Sequence, residues 1–227
     1  MEYSGEDNLA VMNLAQNHIR YIEDEILRAC PPAAKDIVDF GAGNGLYARR
    51  LQSHLQTSIT CVEPADNMLP YLDGLTVVKD MSLLTAAADF IYSLDVLEHI
   101  ADDETTLKQL FSQLKRGGVL FLHVPAFQSL YSAMDKKVGH FRRYSRSELI
   151  NKCRVAGFEV DDCRYMDFCG FFASLLYKAA PAADGSLNPR LLTLYDKLVI
   201  PASSIADALT LGRICGKNLI LTAHKGL

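Results

Sequence analysis

The chain has 227 residues, of which 49% are hydrophobic, which suits one domain with a core of its own. Its formal net charge of −4 at pH 7 argues against a surface broadly adapted to nucleic acid, where a basic footprint is expected. Six cysteines form no C-x-x-C pair, and no His/Cys group has zinc-ligand spacing, so we expect free thiols and no metal. The acidic first residues and the shortness of every apolar run predict a cytoplasmic protein.

The first predicted elements are an N-terminal helix and two strand–helix pairs. Leu9, Ile19 and Ile26 recur at helical spacing before Pro31, which predicts one amphipathic helix within residues 1–32. The strand-like "DIVDF" then leads through a glycine loop into the helix-like "GLYARRLQSHL". "SITCVE" leads in the same way to a helix at "ADNMLPYL", and the strand-like "LTVV" follows.

The same alternation continues through the middle of the chain. "DFIYSL" precedes a helix predicted from about Asp102 to Arg116, with acids in its first turn and Gly117 beyond its end. "VLFLHV" is the fifth strand. Ser145 and Glu148 have capping-box spacing before "LINKCRVAG", which precedes the strand-like "FEVDDCRY". Such alternation predicts a doubly wound, Rossmann-like α/β sheet whose ligand lies beyond the carboxyl ends of its strands.

Residues 166–215 depart from this pattern and are mostly apolar. "FCGFFASLLY" and "RLLTLYDKLVIPASSIADALTL" are predicted helices, favoured as a cap over the acceptor pocket because apolar helices usually pack on their sheet. A dimer surface and an interfacial membrane contact through residues 168–211 are the alternatives. "GKNLILTAH", within residues 216–227, reads as a closing strand, so the chain is predicted to be one domain around a core at 36–165.

The glycine loop at 41–45 distinguishes between nucleotides. The dinucleotide fingerprint G-x-G-x-x-G requires its third glycine one residue later than Gly45. Asp39 ends the preceding strand, where a carboxylate would repel a pyrophosphate yet attract a bound ammonium. Glu63 ends the second strand, about 20 residues on, where an acidic side chain accepts hydrogen bonds from ribose hydroxyls.

Four motifs in order resemble class I S-adenosylmethionine-dependent methyltransferases, in the subgroup with quinone-biosynthesis and similar small-molecule enzymes. They are D-x-G-x-G-x-G at 39–45, "CVEPADNML", "SLDVLEHI" at 93–100 and "LKRGGVLFLHVP" at 114–125. The resemblance covers about residues 36–157 and implies a seven-stranded, mostly parallel sheet with an antiparallel last strand. It implies S-adenosylmethionine as the cofactor. The cofactor residues so assigned are Asp39, Gly41, Ala42, Gly43, Glu63, Asp80, Met81, Ser93, Leu94 and Asp95.

Two of these positions and the nearby histidines allow other interpretations. Asp80 and Met81 are placed for an adenine ring, although an aspartate there is also a common N-cap. Methyl transfer is an in-line displacement that needs alignment of the acceptor, and a hydroxyl acceptor also needs a base such as histidine. His99 follows the fourth strand and is a candidate, with a packed histidine as the equal alternative. His123, inside the fifth strand, is interpreted as a core residue.

The basic segment "YSAMDKKVGHFRRYSR" follows the fifth strand, where this fold places the residues that cover the acceptor-binding site. A charge run is usually a solvated face, but of two adjacent arginines at least one is expected to face inward and bind a carboxylate or phosphate. Its G-H-x-R-R-Y cluster resembles a motif in a bacterial branch of these methyltransferases. The predicted catalytic residues here are His140 and Tyr144, and the predicted substrate-binding residues are Arg142, Arg143 and Tyr131.

The sequence therefore predicts a methyltransferase that acts on a small anionic or amphiphilic molecule without nucleic acid. One alternative is an S-adenosylmethionine-binding protein without turnover. Another is an RNA methyltransferase that uses the basic segment for docking, which the acidic charge balance disfavours. A nicotinamide-dependent oxidoreductase is disfavoured by Asp39 and the misplaced third glycine. The oligomeric state stays open.

Overall fold

A seven-stranded sheet forms the centre of the computed structural model, which describes residues 2–3, 5–179 and 188–227. The strand order is β3-β2-β1-β4-β5-β7-β6. Strands β1 to β5 pair in parallel, and β7 is antiparallel to both β5 and β6, as predicted for this fold. The strands are β1 Ile37–Phe40, β2 Ile59–Val62, β3 Thr76–Val78, β4 Ala88–Leu94, β5 Leu114–Pro125, β6 Glu159–Met166 and β7 Asn218–His224.

Helices cover both faces of the sheet. They are α1 Glu6–Met12, α2 Gln16–Ala29, α3 Leu46–Leu55, α4 Asp103–Gln113, α5 Ala133–Val138, α6 Arg146–Val155, α7 Phe168–Ala179, α8 Pro189–Leu194 and α9 Ile200–Thr210. Short 3₁₀ turns lie at Leu69–Leu72, Met81–Leu83, Leu97–His99 and Gln128–Leu130, and a π turn at Tyr195–Val199 joins α8 to α9. None of the described helices is long and apolar enough to cross a membrane.

The core has two layers, one on each face of the sheet. Successive residues of a strand point to opposite faces, so Leu120 and Leu122 pack in the layer with α4 and α6. Phe121 packs in the other layer, with α2 and α3. Burial on both faces explains why the inner strands read as continuous apolar runs rather than alternating ones.

The predicted single N-terminal helix is wrong, because the structure has two helices separated at Asn13–Ala15. The second begins where a distant carboxylate caps it: Asp196 accepts hydrogen bonds from the backbone N–H groups of Asn17 at 3.1 Å and His18 at 2.8 Å. No local residue supplies a side-chain cap at this position. The break therefore depends on a residue far away in the sequence.

Two other boundaries also differ from the prediction. The helix expected to reach Arg116 ends at Gln113, and residue Leu114 already begins β5. Lys115 instead binds the carboxylates of Asp36 at 2.6 Å and Asp89 at 2.8 Å, which fixes the start of the strand. The helix expected at "ADNMLPYL" is a single 3₁₀ turn.

Candidate cofactor and acceptor site

The glycine loop after β1 has a backbone that only glycine adopts easily. Gly41 has φ +81°, and a Cβ there would lie 2.3 Å from Val96 Cγ2. Gly45 has φ +71°, and its Cβ would meet Leu75 Cδ1 at 2.7 Å. The N–H groups of Gly41 and Ala42 both donate to the Val62 carbonyl, at 2.9 and 3.3 Å. The loop is thereby tied to the end of β2.

Glu63, which follows β2, holds the same loop from the other side. Its Oε2 accepts a hydrogen bond from the Gly43 N–H at 2.7 Å, and its Oε1 accepts one from the Ala65 N–H at 2.9 Å. Burial raises the pKa of this carboxyl group, although these two N–H donors oppose the rise. Each oxygen keeps a second lone pair, so contact with a ribose stays a prediction.

Asp39 is a buried carboxyl group at the end of β1. Burial raises its pKa to about 7. The hydroxyl of Tyr92 opposes this rise, and the negative charge of Glu63 adds to it. Its strand neighbour across the β1–β4 pair is Tyr92, not a basic residue. The position therefore suits a ligand with a positive group, such as the ammonium of an amino acid moiety.

Two residues near β3 have structural contacts of their own. Asp80 is the N-cap of the turn Met81–Leu83, where it accepts a hydrogen bond from the Ser82 N–H at 2.8 Å. Met81 is buried in the core layer of α4. The alternative N-cap interpretation of Asp80 is thus correct, and the adenine contacts of both residues stay predictions.

The end of β4 carries two unusual polar groups. The Ser93 hydroxyl is buried and has no hydrogen-bond partner among the described residues. Leu94 is half-buried, and Asp95 follows it with φ +52°, a left-handed backbone that is uncommon for aspartate and is often found at functional sites. His123 holds this conformation, because its carbonyl accepts the Asp95 N–H at 2.9 Å and its Nδ1 lies 3.0 Å from Asp95 Oδ1. His123 is therefore buried, as predicted, but it also positions a half-exposed carboxylate.

The N-terminal residues pack over this edge, which the sequence did not predict. The Tyr3 N–H donates to Asn67 Oδ1 at 2.9 Å, and Asn67 Nδ2 donates back to the Tyr3 carbonyl at 3.0 Å. The Tyr3 ring lies edge-on to His99, with 5.7 Å between the ring centroids. Burial, and then the nearby Asp95 and Glu98 carboxyl groups, raise the pKa of Tyr3 to about 12. A lone tyrosine near a chain start carries no sequence signal for this contact.

His140 is fixed by a carboxylate from the helix before it. Its Nδ1 lies 2.8 Å from Asp135 Oδ1. Arg143 binds the same carboxylate through two bonds, Nε to Oδ1 at 2.8 Å and Nη2 to Oδ2 at 3.0 Å. Burial opposes ionisation of Asp135, but the bonds from His140 and Arg143 outweigh it and hold the pKa well below its usual range. Asp135 could have been found from its capping-box spacing with Ser132.

The other predicted residues of the basic segment are also engaged within the protein. Arg142 donates to the Ala101 carbonyl at 2.7 Å and binds Asp103 at 2.8 Å. Tyr144 is fully buried, and its hydroxyl donates to Asp103 at 2.8 Å. The Tyr131 hydroxyl donates to the His140 carbonyl at 2.6 Å. Arg143 faces inward, as predicted for one of the two adjacent arginines. These contacts give both arginines and both predicted tyrosines partners within the protein, and their roles toward a substrate stay predictions.

Glu98 and His99 complete the group around His140. Glu98 is fully buried, burial raises its pKa well above the usual range, and its Oε1 lies 3.8 Å from His140 Nε2. Burial and the charge of His140 lower the pKa of His99 to about 4, so its ring is neutral near pH 7. Ligand atoms of Glu98, His99 and His140 lie within 4.8 Å of one another, a spacing that can hold a metal ion. Zinc-ligand spacing in the sequence could not reveal this group, since His140 comes from a different segment than Glu98 and His99.

The carboxyl ends of β1, β2 and β4 thus bring Asp39, Glu63 and Asp95 to one edge of the sheet, and the segment after β5 brings His140 to the same edge. Partners at this edge that the sequence did not identify are Tyr3, Asn67, Glu98 and Asp135.

Comparison with known proteins gives a family and a fold. A family model described as a methyltransferase domain matches residues 14–162. A relative from Mycolicibacterium smegmatis (strain ATCC 700084 / mc(2)155), described as a "probable S-adenosylmethionine-dependent methyltransferase", is 28% identical over 87 residues. That stretch covers 37% of this chain and 34% of the relative, so the match spans about a third of the relative's length.

Solved structures share the fold at low identity. One is a Thermotoga maritima S-adenosylmethionine-dependent methyltransferase, described as a possible histamine N-methyltransferase, with 18% identity, a TM-score of 0.62 and coverage of 98% of both chains. Another is the [4+2]-cyclase SpnF, with 17% identity, a TM-score of 0.59 and coverage of 91% of this chain and 81% of that one. A cyclase among these neighbours illustrates that the fold alone does not fix the reaction.

Proposed function

The chain belongs to this methyltransferase domain family, and we propose that it transfers a methyl group from S-adenosylmethionine to a small-molecule acceptor. The observation that carries the proposal is Asp39, a buried carboxyl group beside a loop of left-handed glycines. A dinucleotide pyrophosphate would be repelled there, whereas the ammonium of the cofactor would pair with the carboxylate.

The residues at the strand edge fit the cofactor. Asp39 would bind its ammonium, and the free lone pairs of Glu63 would accept its ribose hydroxyls. The unpartnered Ser93 hydroxyl offers one further polar contact. When bound, the sulfonium supplies a methyl group that already has its leaving group, so the protein's task is to align the acceptor.

His140 is the residue best placed to take a proton from the acceptor. Asp135 accepts from Nδ1 and so leaves Nε2 as the basic nitrogen, the arrangement in which a carboxylate orients a catalytic histidine. Arg143 acts through Asp135 as a positioning residue. His99, whose ring lies 4.6 Å from that of His140, forms the neighbouring wall of the site.

The acceptor we propose is amphiphilic rather than strongly anionic. The anionic prediction depended on guanidinium groups that reach the acceptor, and both Arg142 and Arg143 pair with carboxylates of the protein. Asp95 adds a negative charge at the same edge, and the charge and hydrogen bond of His123 keep its pKa below the usual range. Such surroundings disfavour a second anion.

Calorimetric titration with S-adenosylmethionine, S-adenosylhomocysteine and NADH tests the cofactor. We expect saturable binding of the first two ligands, which Asp39→Asn and Glu63→Ala each weaken by tenfold or more. Asp24→Asn, at an exposed aspartate of α2, is the matched control and should bind normally. Binding of NADH alone would overturn the proposal.

An acceptor screen with methyl-labelled cofactor tests the base. With an accepted substrate, His140→Ala should lower kcat by about 10²–10⁴-fold, the usual contribution of general acid–base catalysis. Asp135→Asn should lower kcat less and shift its pH profile, whereas His54→Ala, at an exposed histidine, should change neither. Unchanged turnover in His140→Ala would exclude it as the base.

A further inference from the structure

The helical run from α8 through α9 presents an apolar stripe to the outside. Its members recur every three, four or seven residues and are all exposed, with Leu209 81% exposed. A helix on a protein surface in water normally shows the reverse pattern, with its apolar stripe toward the core. The residues of this outer stripe are Leu191, Leu194, Leu198, Ile205 and Leu209.

The inner face of the same run carries three polar side chains beside the buried Ile200. Asp196, Ser203 and Asp207 are buried there, and each has partners within the protein. Asp207 Oδ2 accepts the Asp167 N–H at 2.7 Å and the Tyr21 hydroxyl at 2.8 Å. Ser203 donates to Asp167 Oδ1 at 2.6 Å. Hydrogen bonds of these polar side chains therefore hold the run on the protein, while its leucines face outward.

Helix α7, which packs against α9, extends the apolar surface. Phe172, Leu175 and Leu176 lie on one of its faces and are exposed, Leu176 by 75%. Of the 16 large hydrophobic side chains exposed among the described residues, ten lie between residues 168 and 214. Single exposed apolar side chains are ordinary, but a contiguous group of them marks a surface that binds a protein or a membrane.

The exposed charges that the structure describes on this surface are all positive. Among the described residues from 168 to 214, the exposed charged side chains are Lys178, Arg190, Lys197 and Arg213. Of the acids in this stretch, Asp196 and Asp207 are buried, and Asp184 lies outside the described residues. The whole chain has a net charge of −4, so this basic, apolar surface differs from the molecule around it.

We propose that α7, α8 and α9 dock on an anionic lipid bilayer, with the outer stripe in the interface and the basic side chains at the headgroups. Interfacial helices combine leucine-rich and lysine- or arginine-rich faces in this way, and each basic residue near an anionic surface strengthens binding. A second copy of the chain fits less well, because a two-fold interface would bring like charges together. The proposal does not depend on the methyl-transfer activity.

Vesicle sedimentation tests the docking. The protein should bind phosphatidylglycerol–phosphatidylcholine vesicles at least tenfold more tightly than pure phosphatidylcholine vesicles, and 0.5 M NaCl should weaken the binding. Leu198→Glu/Leu209→Glu should lower binding at least tenfold. Val155→Glu is the matched control, because Val155 is 60% exposed on α6, and it should bind as the unchanged protein does.

A fluorescence measurement keeps the test valid if the double variant fails to fold. The chain contains no tryptophan, so Leu209→Trp and Val155→Trp each introduce a single reporter. Vesicles should shift the Leu209→Trp emission to the blue and leave that of Val155→Trp unchanged. The proposal would be overturned if the protein did not bind vesicles or if both reporters shifted equally. It would also be overturned if the protein formed a dimer that the double variant abolishes and bound no vesicles.

Discussion

Helices α4 and α9 have the same length, eleven residues, but they differ in where their leucines lie. Helix α4 turns Leu107 and Leu110 toward the sheet, where they join one core layer. Helix α9 turns Ser203 and Asp207 inward and leaves Leu209 exposed. Each inner face matches what it meets, aliphatic side chains in the first case and the backbone N–H groups at the start of α7 in the second. A helix can therefore be anchored by hydrogen bonds on its buried side while its apolar side remains available.

The largest expected effect separates the leucines of the two helices. Leu107→Ala should lower the free energy of unfolding by about 2–5 kcal/mol, because it leaves a cavity in a packed core. Leu209→Ala should change it by no more than about 0.5 kcal/mol, as surface substitutions usually do. Urea unfolding followed by circular dichroism measures both. Similar losses for the two variants would mean that Leu209 packs inside the protein.

The next effect concerns the buried carboxylate of α9. Asp207→Ala removes the acceptor for the N–H groups of Asp167 and Phe168 and should lower the free energy of unfolding by about 1–3 kcal/mol. Asp207→Asn keeps one oxygen and should lose less. The same urea experiment measures both variants, and equal stability of Asp207→Ala and the unchanged protein would show that α9 is not held by this residue.

Asp39 and Asp207 are both buried carboxyl groups, but we expect them to have different partners. Asp207 accepts hydrogen bonds from N–H groups of the protein, whereas Asp39 is proposed to pair with the ammonium of the cofactor. The pKa of Asp39, raised by burial to about 7, should fall when the ammonium binds, so binding releases a proton. Affinity for S-adenosylmethionine should therefore weaken by up to about tenfold, or 1.4 kcal/mol, for each pH unit below 7.

Calorimetric dissociation constants between pH 5 and 7 measure this dependence. Asp39→Asn should bind weakly with a flatter pH profile. A flat profile for the unchanged protein would show that Asp39 does not pair with the cofactor.

The smallest effect concerns the start of α4. Asp102 Oδ1 accepts the Thr105 N–H at 3.0 Å, whereas α9 continues from the π turn without a side-chain cap. Asp102→Ala should lower the free energy of unfolding by about 1 kcal/mol, and Asp102→Asn, which can still cap, should be nearly neutral. Thermal unfolding of the pair checks the difference. A loss in Asp102→Asn as large as in Asp102→Ala would point to the charge rather than the hydrogen bond.

Local spacing determined the parts of this protein that the sequence predicts well. The alternation of strands and helices gives the seven-stranded sheet, and the Ser145–Glu148 capping box begins α6 as predicted. The three glycines of the predicted loop, Gly41, Gly43 and Gly45, all have positive φ, a conformation that glycine adopts without strain. Each of these features depends on neighbours within a few residues, because strand and helix periods, caps and turns are short-range interactions.

Only the tertiary structure decided which partner each polar side chain meets. The break between α1 and α2 depends on Asp196, and Arg143 binds Asp135 rather than pointing freely into the acceptor space. The grouping of Glu98 with His140 and the inward polar face of α9 depend equally on contacts between distant segments. A charged residue indicates that a partner is needed, but burial and geometry in the folded chain select which one, because desolvated charges require close, well-oriented counterparts.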